Sequence, residues 1–472
     1  MRIKHQPLLP NPDKPFEACK LNREEYANVL TSIVSTYADG FVLAINNAWG
    51  TGKTTFVQMW QQSLIKQEFK TLYFNAWEND FDSNPLVAIM SELSELKGKD
   101  NAKAYKSVVE KGAVLVKHIA PALLKALVKK HVADIGDVVA DAVENAATAT
   151  TSILEEEIKE FNTKKKTIQE FRNELSEFVQ KVTSDKPLVF IIDELDRCRP
   201  TYAVEVLEQI KHLFSVKGIV FVLSIDKKHL ASSIKGFYGS EEINSEDYLR
   251  RFIDLEYSIP EPSADAHLQY LYEYYQLGSF FNSAARQQHS VFANDSSNLL
   301  QIAKALFAKS NATLRQKEQV FAQTRLILRS FSPNQYTFSP LLFLLIFAKF
   351  FREDVFHSIA RKQLSLQALS DAFFDILGGN DSVNYQINFV YIEAMLLWFY
   401  NNSLPHSTRF NLIEEDETQS ISTPINSKLD SKEGKHSLAN CFKHIKQEWD
   451  YRDMELNQLI NRINLTQPLN TL

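Results

Sequence analysis

Apolar positions follow two rhythms that change over near residue 262. Before it, short runs of β-branched and aromatic residues alternate with longer stretches whose apolar positions recur every three or four residues. FVLAIN (41–46), KTLYFNAW (70–77), PLVFIID (187–193), IVFVLSID (219–226) and IDLEYSIP (253–260) read as strands. TTFVQMWQQSLIK after the first, and about Asn84 to Leu96 after the second, read as helices. So does RPTYAVEVLEQIKHLF, where Pro200 suits a first turn and Val204, Leu207, Ile210, Leu213 and Phe214 form one stripe. Strands alternating with helices imply an α/β fold with a parallel sheet covered on both faces.

Beyond Pro262 the strand signal stops and residues 263–400 read as packed helices, with 312–331 the most regular. A segment from about 401 to 437, rich in Ser, Asn, Thr and acids, reads as a surface loop, and 437–463 as a last helix. Residues 98–165 look inserted, being alanine-rich, helical in pattern and ending in a charged run. The expected organisation is therefore an α/β domain in two parts, 1–97 and 166–262, around a helical insertion at 98–165. An all-helical lid (263–331) and a C-terminal helical sensor or partner domain (332–472) follow. The stretch 113–143 carries Lys117, Lys125, Lys129, Lys130, Asp134 and Asp137, too many charges for a span of about 20 apolar residues. FSPLLFLLIFAKFF (338–351) is apolar for about three turns and reads as a core helix. No membrane partner is expected.

With 472 residues and 44% apolar content the chain can bury more than one core. A net charge of −6 argues against a chain-wide nucleic-acid surface, and the lysine clusters Lys164–Lys166 and Lys227–Lys228 are short. Nucleic acid is thus the least supported partner. Three scattered cysteines, Cys19, Cys198 and Cys441, form neither a disulfide framework nor a metal site. The N-terminus reads as carrying no export signal, so a cytoplasmic location is expected.

The chemistry begins at NNAWGTGKTTF (46–56), between the first strand and its helix. It fits the phosphate-loop pattern G-x-x-x-x-G-K-[ST] with asparagine in the first place. Asn47, Ala48, Trp49, Gly50, Thr51, Gly52, Lys53, Thr54 and Thr55 are the expected cradle. Gly50 and Gly52 let the backbone approach phosphate, Lys53 reaches the terminal phosphates, and Thr54 offers a hydroxyl to Mg²⁺. Asn47 is expected to replace glycine because asparagine tolerates a left-handed backbone. VFIIDELDRC (189–198) places Asp193 at a strand's carboxyl end, where it suits Mg²⁺, and Glu194 beside it to polarise water. The alternative, strand-end charges facing solvent, fits the paired motifs less well. Trp49 stacks on a ring or packs against the neighbouring helix, and Trp77 is expected in the core.

N-A-W-G-T-G-K-T, F-N-A-W at 74–77 and I-I-D-E-L-D-R-C at 191–198 together resemble the KAP P-loop NTPases, a STAND-like, AAA+-related family, over about residues 20–330. The family pattern has glycine where Asn47 stands. Many members carry transmembrane helices where this chain has its polar insertion. The resemblance implies ATP and Mg²⁺ as cofactors, and Ser224 with Asp226 as the polar pair sensing the γ-phosphate. It also implies a finger arginine at Arg250 or Arg251, acting across a subunit boundary, and Arg315 as a lid sensor. The expected function is an ATPase whose nucleotide state controls homo-oligomeric assembly. Soluble bacterial members of the family often act in anti-phage defence beside a separate effector protein. The alternatives are a nucleotide-gated scaffold with little turnover and a nucleic-acid motor.

Overall fold

The computed structural model describes residues 10–82, 84–131, 147–240, 242–379, 388–415, 421–429 and 437–466. It divides into two compact units, residues 7–261 and 262–472.

The first unit is built on five parallel strands, β1 (Val42–Asn46), β2 (Thr71–Asn75), β3 (Leu188–Asp193), β4 (Ile219–Ile225) and β5 (Leu255–Tyr257), in the order β2-β3-β4-β1-β5. Side chains alternate across a strand, so each strand feeds two cores. Leu72, Phe74, Phe190, Ile192, Phe221 and Leu223 join one core, while Leu43, Ile45, Val189, Ile191, Val220 and Val222 join the other. This double burial explains why β3 and β4 are apolar along nearly their whole length.

On the second face lie α1 (Glu24–Thr36) and α2 (Lys53–Lys66). Ala27, Leu30, Thr31 and Val34 form the buried stripe of α1, and Trp60 of α2 donates its indole N–H to Thr31 at 3.0 Å. The first face carries α3 (Pro85–Leu93) and two long helices, α4 (Ala102–His131) and α5 (Ala147–Val182). Beside them lie α6 (Pro200–Gln209), which continues as a π-helical turn to Phe214, and α7 (Lys227–Tyr238). A short helix, α8 (Ser245–Leu249), precedes β5.

The two long helices are tied to this core through Val108 and Leu115 of α4 and Phe171, Leu175 and Phe178 of α5. α5 is continuous through residue 165, so the expected edge of the insertion falls inside a helix. The part of the 113–143 stretch beyond 131 lies outside the described residues, as do residues 1–9 of the N-terminal reading. No helix of the described residues is long and apolar enough to cross a membrane.

The second unit is helical around one core, centred on Ser339–Phe351 and Phe389–Asn402. Arg286 is enclosed there by an ion pair to Asp295 and by the faces of Phe280 and Phe292. Two features differ from expectation. A two-residue hairpin, Glu414–Glu415 with Ile421–Ser422, interrupts the loop segment. The last helix is three, Leu438–Gln447, Trp449–Arg452 and Leu456–Ile463. The break is stabilised from outside: Trp398 and Asn402 donate to the Arg452 carbonyl at 2.9 and 2.8 Å, and Asn402 to that of Met454 at 3.0 Å.

Candidate functional site

The strand register assembles the site. Asn75, Asp193, Ser224 and Ile45 lie in one row across β2, β3, β4 and β1, at or next to their carboxyl ends. Asp193 follows Val189 and Ile191 in alternation, and Ser224 follows Val220 and Val222, so both belong to the face on which α2 lies. Lys53, in the first turn of α2, is buried on that face.

The loop between β1 and α2 needs its glycines: Gly50 and Gly52 have φ of 77° and 81°. A Cβ on Gly52 would also sit 3.0 Å from an Arg23 nitrogen. Arg23, buried at the N-terminus of α1, donates to the Thr51 carbonyl at 2.7 Å and to that of Gly52 at 3.2 Å. It holds the cradle from behind, and nothing in the sequence spacing points to it. Thr51 Oγ1 donates to the Ala48 carbonyl at 2.8 Å, and Thr54 and Thr55 are half-buried in the first turn of α2.

Asn47 is not left-handed, which corrects the reason expected for it. Its side-chain amide donates to the Ile259 carbonyl and accepts from the Ile259 N–H, both at 2.9 Å. The asparagine thereby prolongs the β1–β5 pairing past the last residue of β1, a task glycine has no atoms for.

Around Lys53 the charges are dense. The ammonium donates to the Asn47 and Ala48 carbonyls at 2.6 and 3.2 Å. Burial pushes its pKa below the usual lysine range, against the opposing pull of Asp196, Asp226 and Asp193. Asp193 accepts from Tyr73 of β2 at 2.9 Å and from the Glu194 N–H at 3.0 Å. Burial also raises the carboxyl pKa of Glu194 and of Asp196. Glu194 has φ of 62° and contacts Arg197 at 2.7 Å and Asn75 at 3.3 Å.

Asp226 spends one oxygen on the N-terminus of α7, accepting from Lys228 and His229 N–H at 3.1 and 3.3 Å, and the other on the Trp49 N–H at 3.2 Å. The Trp49 ring lies flat on His229, centroids 3.7 Å apart, and donates its indole N–H to Asp196. Trp77 is 53% exposed, contrary to the expected core placement, because it lies just past β2 in a loop at the sheet edge.

Two buried polar atoms here, Ser224 Oγ and Asp196 Oδ1, have no hydrogen-bond partner among the described residues. Such atoms suit a polar ligand between the loop and the β3 and β4 ends. No group of three or more His, Cys, Asp or Glu side chains among the described residues forms a metal cage. A Mg²⁺ ion carried mainly by phosphate oxygens and water needs none.

The remaining candidates lie elsewhere. Arg250, 70% exposed and paired with Asp247 at 2.7 Å, and Arg251, also exposed, end α8. Asp254, just beyond them, pairs with Val42 at the start of β1, whereas the phosphate loop leaves its end. The two arginines are thus at the opposite sheet edge from the site of their own chain. Arg315 is exposed on the helix Leu314–Leu328 of the second unit, whose N-terminus has a Thr313–Gln316 capping box.

Comparison with known proteins bears on this arrangement. The model of the KAP family P-loop domain matches residues 22–331. Among solved structures, the chain is similar to an Aeropyrum pernix ORC2 protein described in ADPNP-ADP complexes, at 11% identity and a TM-score of 0.33, over 94% of this chain and 93% of that one. No curated protein matches the sequence.

Proposed function

Because the chain belongs to the KAP family of P-loop NTPases, we propose that it binds ATP with Mg²⁺, hydrolyses it, and couples its nucleotide state to homo-oligomeric assembly. The observation carrying this reading is the meeting of Lys53, Asp193 and Glu194 at one sheet edge, beside a loop whose glycines adopt left-handed backbone. Lys53 and the loop N–H groups would hold the phosphates. Thr54 and Asp193 would hold Mg²⁺, which when bound supplies positive charge to the phosphate oxygens. Ser224, buried beside Asp193 in register, supplies a hydroxyl toward the terminal phosphate. Glu194 would orient the attacking water.

On the same family likeness, the protein serves as the ATPase subunit of a bacterial anti-phage defence system, and a separate effector docks on residues 332–472. A nucleotide-gated scaffold is the second reading, favoured by one observation: both Glu194 oxygens already have partners in the chain.

Nucleotide binding and phosphate release by the wild-type chain and Lys53→Ala test these readings together. Charge-assisted contacts of about 1.5–3 kcal/mol predict that Lys53→Ala weakens Mg²⁺-ATP binding about 10- to 100-fold, and abolishes turnover and phage protection. Binding that depends on Lys53 without phosphate release selects the scaffold. Equal binding by both proteins rejects the nucleotide site.

A further inference from the structure

Glu194 and Arg197 occupy the two ends of a single tight turn. The left-handed backbone at Glu194 starts the 3₁₀ turn Leu195–Arg197, and this brings the Arg197 guanidinium back onto the carboxylate, Nη1 to Oε1, at 2.7 Å. Asn75 donates to Oε2 at 3.3 Å. The pair is well shielded, with side-chain exposures of 13% for Glu194 and 28% for Arg197.

The guanidinium also faces two rings. It lies 6.0 Å from the Trp49 ring and 5.5 Å from the Trp77 ring. Trp49 belongs to the phosphate loop, so Arg197 bridges the place for phosphates and the acid that would orient water. Aromatic faces favour a cation in that slot whichever anion it meets. A terminal phosphate carries more negative charge than a carboxylate and offers three acceptor oxygens, so it competes effectively for the guanidinium.

Resting on the ATP-site reading above, the geometry points to Arg197 as a positioning residue that holds Glu194 until a third phosphate draws the guanidinium away. Glu194 then keeps Asn75 on one oxygen and turns the freed oxygen to water. A nucleoside diphosphate lacks the competing phosphate and leaves the pair closed. The arrangement therefore distinguishes triphosphate from diphosphate within one chain, separately from any arginine supplied by a neighbour.

The test uses the full-length chain with Mg²⁺ and either ADP or the non-hydrolysable β,γ-imido analogue of ATP, in wild type, Arg197→Ala, Arg197→Lys, Glu194→Gln and the Arg197→Ala/Glu194→Gln double variant. Arg197→Ala is expected to cut the preference for the triphosphate analogue over ADP about 10-fold, a loss of one charge-assisted contact, with Arg197→Lys keeping part of it. Glu194→Gln is expected to tighten analogue binding more in the wild-type background than in Arg197→Ala, because only there does it release the guanidinium. Plain repulsion between Glu194 and phosphate gives the opposite order, since Arg197→Ala leaves that repulsion unscreened. An unchanged preference in both Arg197 variants, or the opposite order in the cycle, overturns the proposal while leaving the ATP site standing. A wild-type chain that binds neither nucleotide overturns both.

Discussion

At the scale of single residues, the cradle depends on a side chain some thirty positions upstream of it. Arg23 donates to two carbonyls of the loop, those of Thr51 and Gly52, and burial holds its pKa below the usual arginine range. Removing one partner of buried polar groups costs about 1–3 kcal/mol per group left unsatisfied. Arg23→Ala is expected to lower the thermal midpoint and to weaken Mg²⁺-ATP binding about 10-fold, by calorimetry. Arg23→Lys is expected to rescue poorly, because an ammonium lacks the planar fork that reaches both carbonyls. Recovery of full affinity in the lysine variant would mean that charge alone matters there. Local patterns made Lys53, Thr54, Asp193 and Glu194 legible, because a phosphate loop and a strand-end acid are written in contiguous residues. The roles of Arg23, Tyr73 and Asn75 were not legible, even though Asn75 stands in the F-N-A-W motif, since their partners come from other elements and only the fold brings them together.

At the scale of elements, periodicity was most informative where one physical demand ruled the segment. The five strands stood out because all but the short β5 are covered on both faces or nearly so, and the helix Ser339–Phe351 because every residue from Ser339 to Ala348 is buried. The C-terminal break at Glu448–Glu455 was hidden, because what stabilises it is side chains of another helix taking its carbonyls. The helix Leu314–Leu328 carries a different tension. Glu318 lies on it with its pKa pushed up to about 7 by burial, Arg315 opposing the shift. A carboxyl whose folded pKa exceeds its unfolded value favours folding below the unfolded pKa, and that contribution is lost as pH rises through about 7. Glu318→Gln is therefore expected to stabilise the protein at pH 8, by on the order of 1–2 kcal/mol after allowing for solvent screening, with little effect near pH 5. Thermal melts at the two pH values measure this; an equal gain at both would assign the effect to packing.

At the scale of the whole molecule, the parallel sheet keeps the phosphate loop and the Arg250–Arg251 pair apart. The loop leaves β1 at Asn46, while the arginines precede Asp254, whose partner is Val42. Four residue steps of strand separate those ends, roughly 13 Å. An arginine in that position serves a phosphate only on another copy, and a surface joining one end of a sheet to the other end of its neighbour is head-to-tail, closing into a ring or extending as a filament. Glu194→Gln with Mg²⁺-ATP is accordingly expected to show a larger solution mass than without nucleotide. If one of the two acts as a finger, turnover should fall about 10³-fold or more in Arg250→Ala or in Arg251→Ala, with ATP affinity little changed. Mixing provides the decisive arm. A Lys53→Ala subunit has intact arginines and no working loop, and the finger variant has the reverse, so together they should recover turnover that neither has alone. Turnover kept by both arginine variants on their own, with the mass unchanged by nucleotide, would mean that each subunit completes its site by itself, leaving Arg197 as the guanidinium nearest its Glu194.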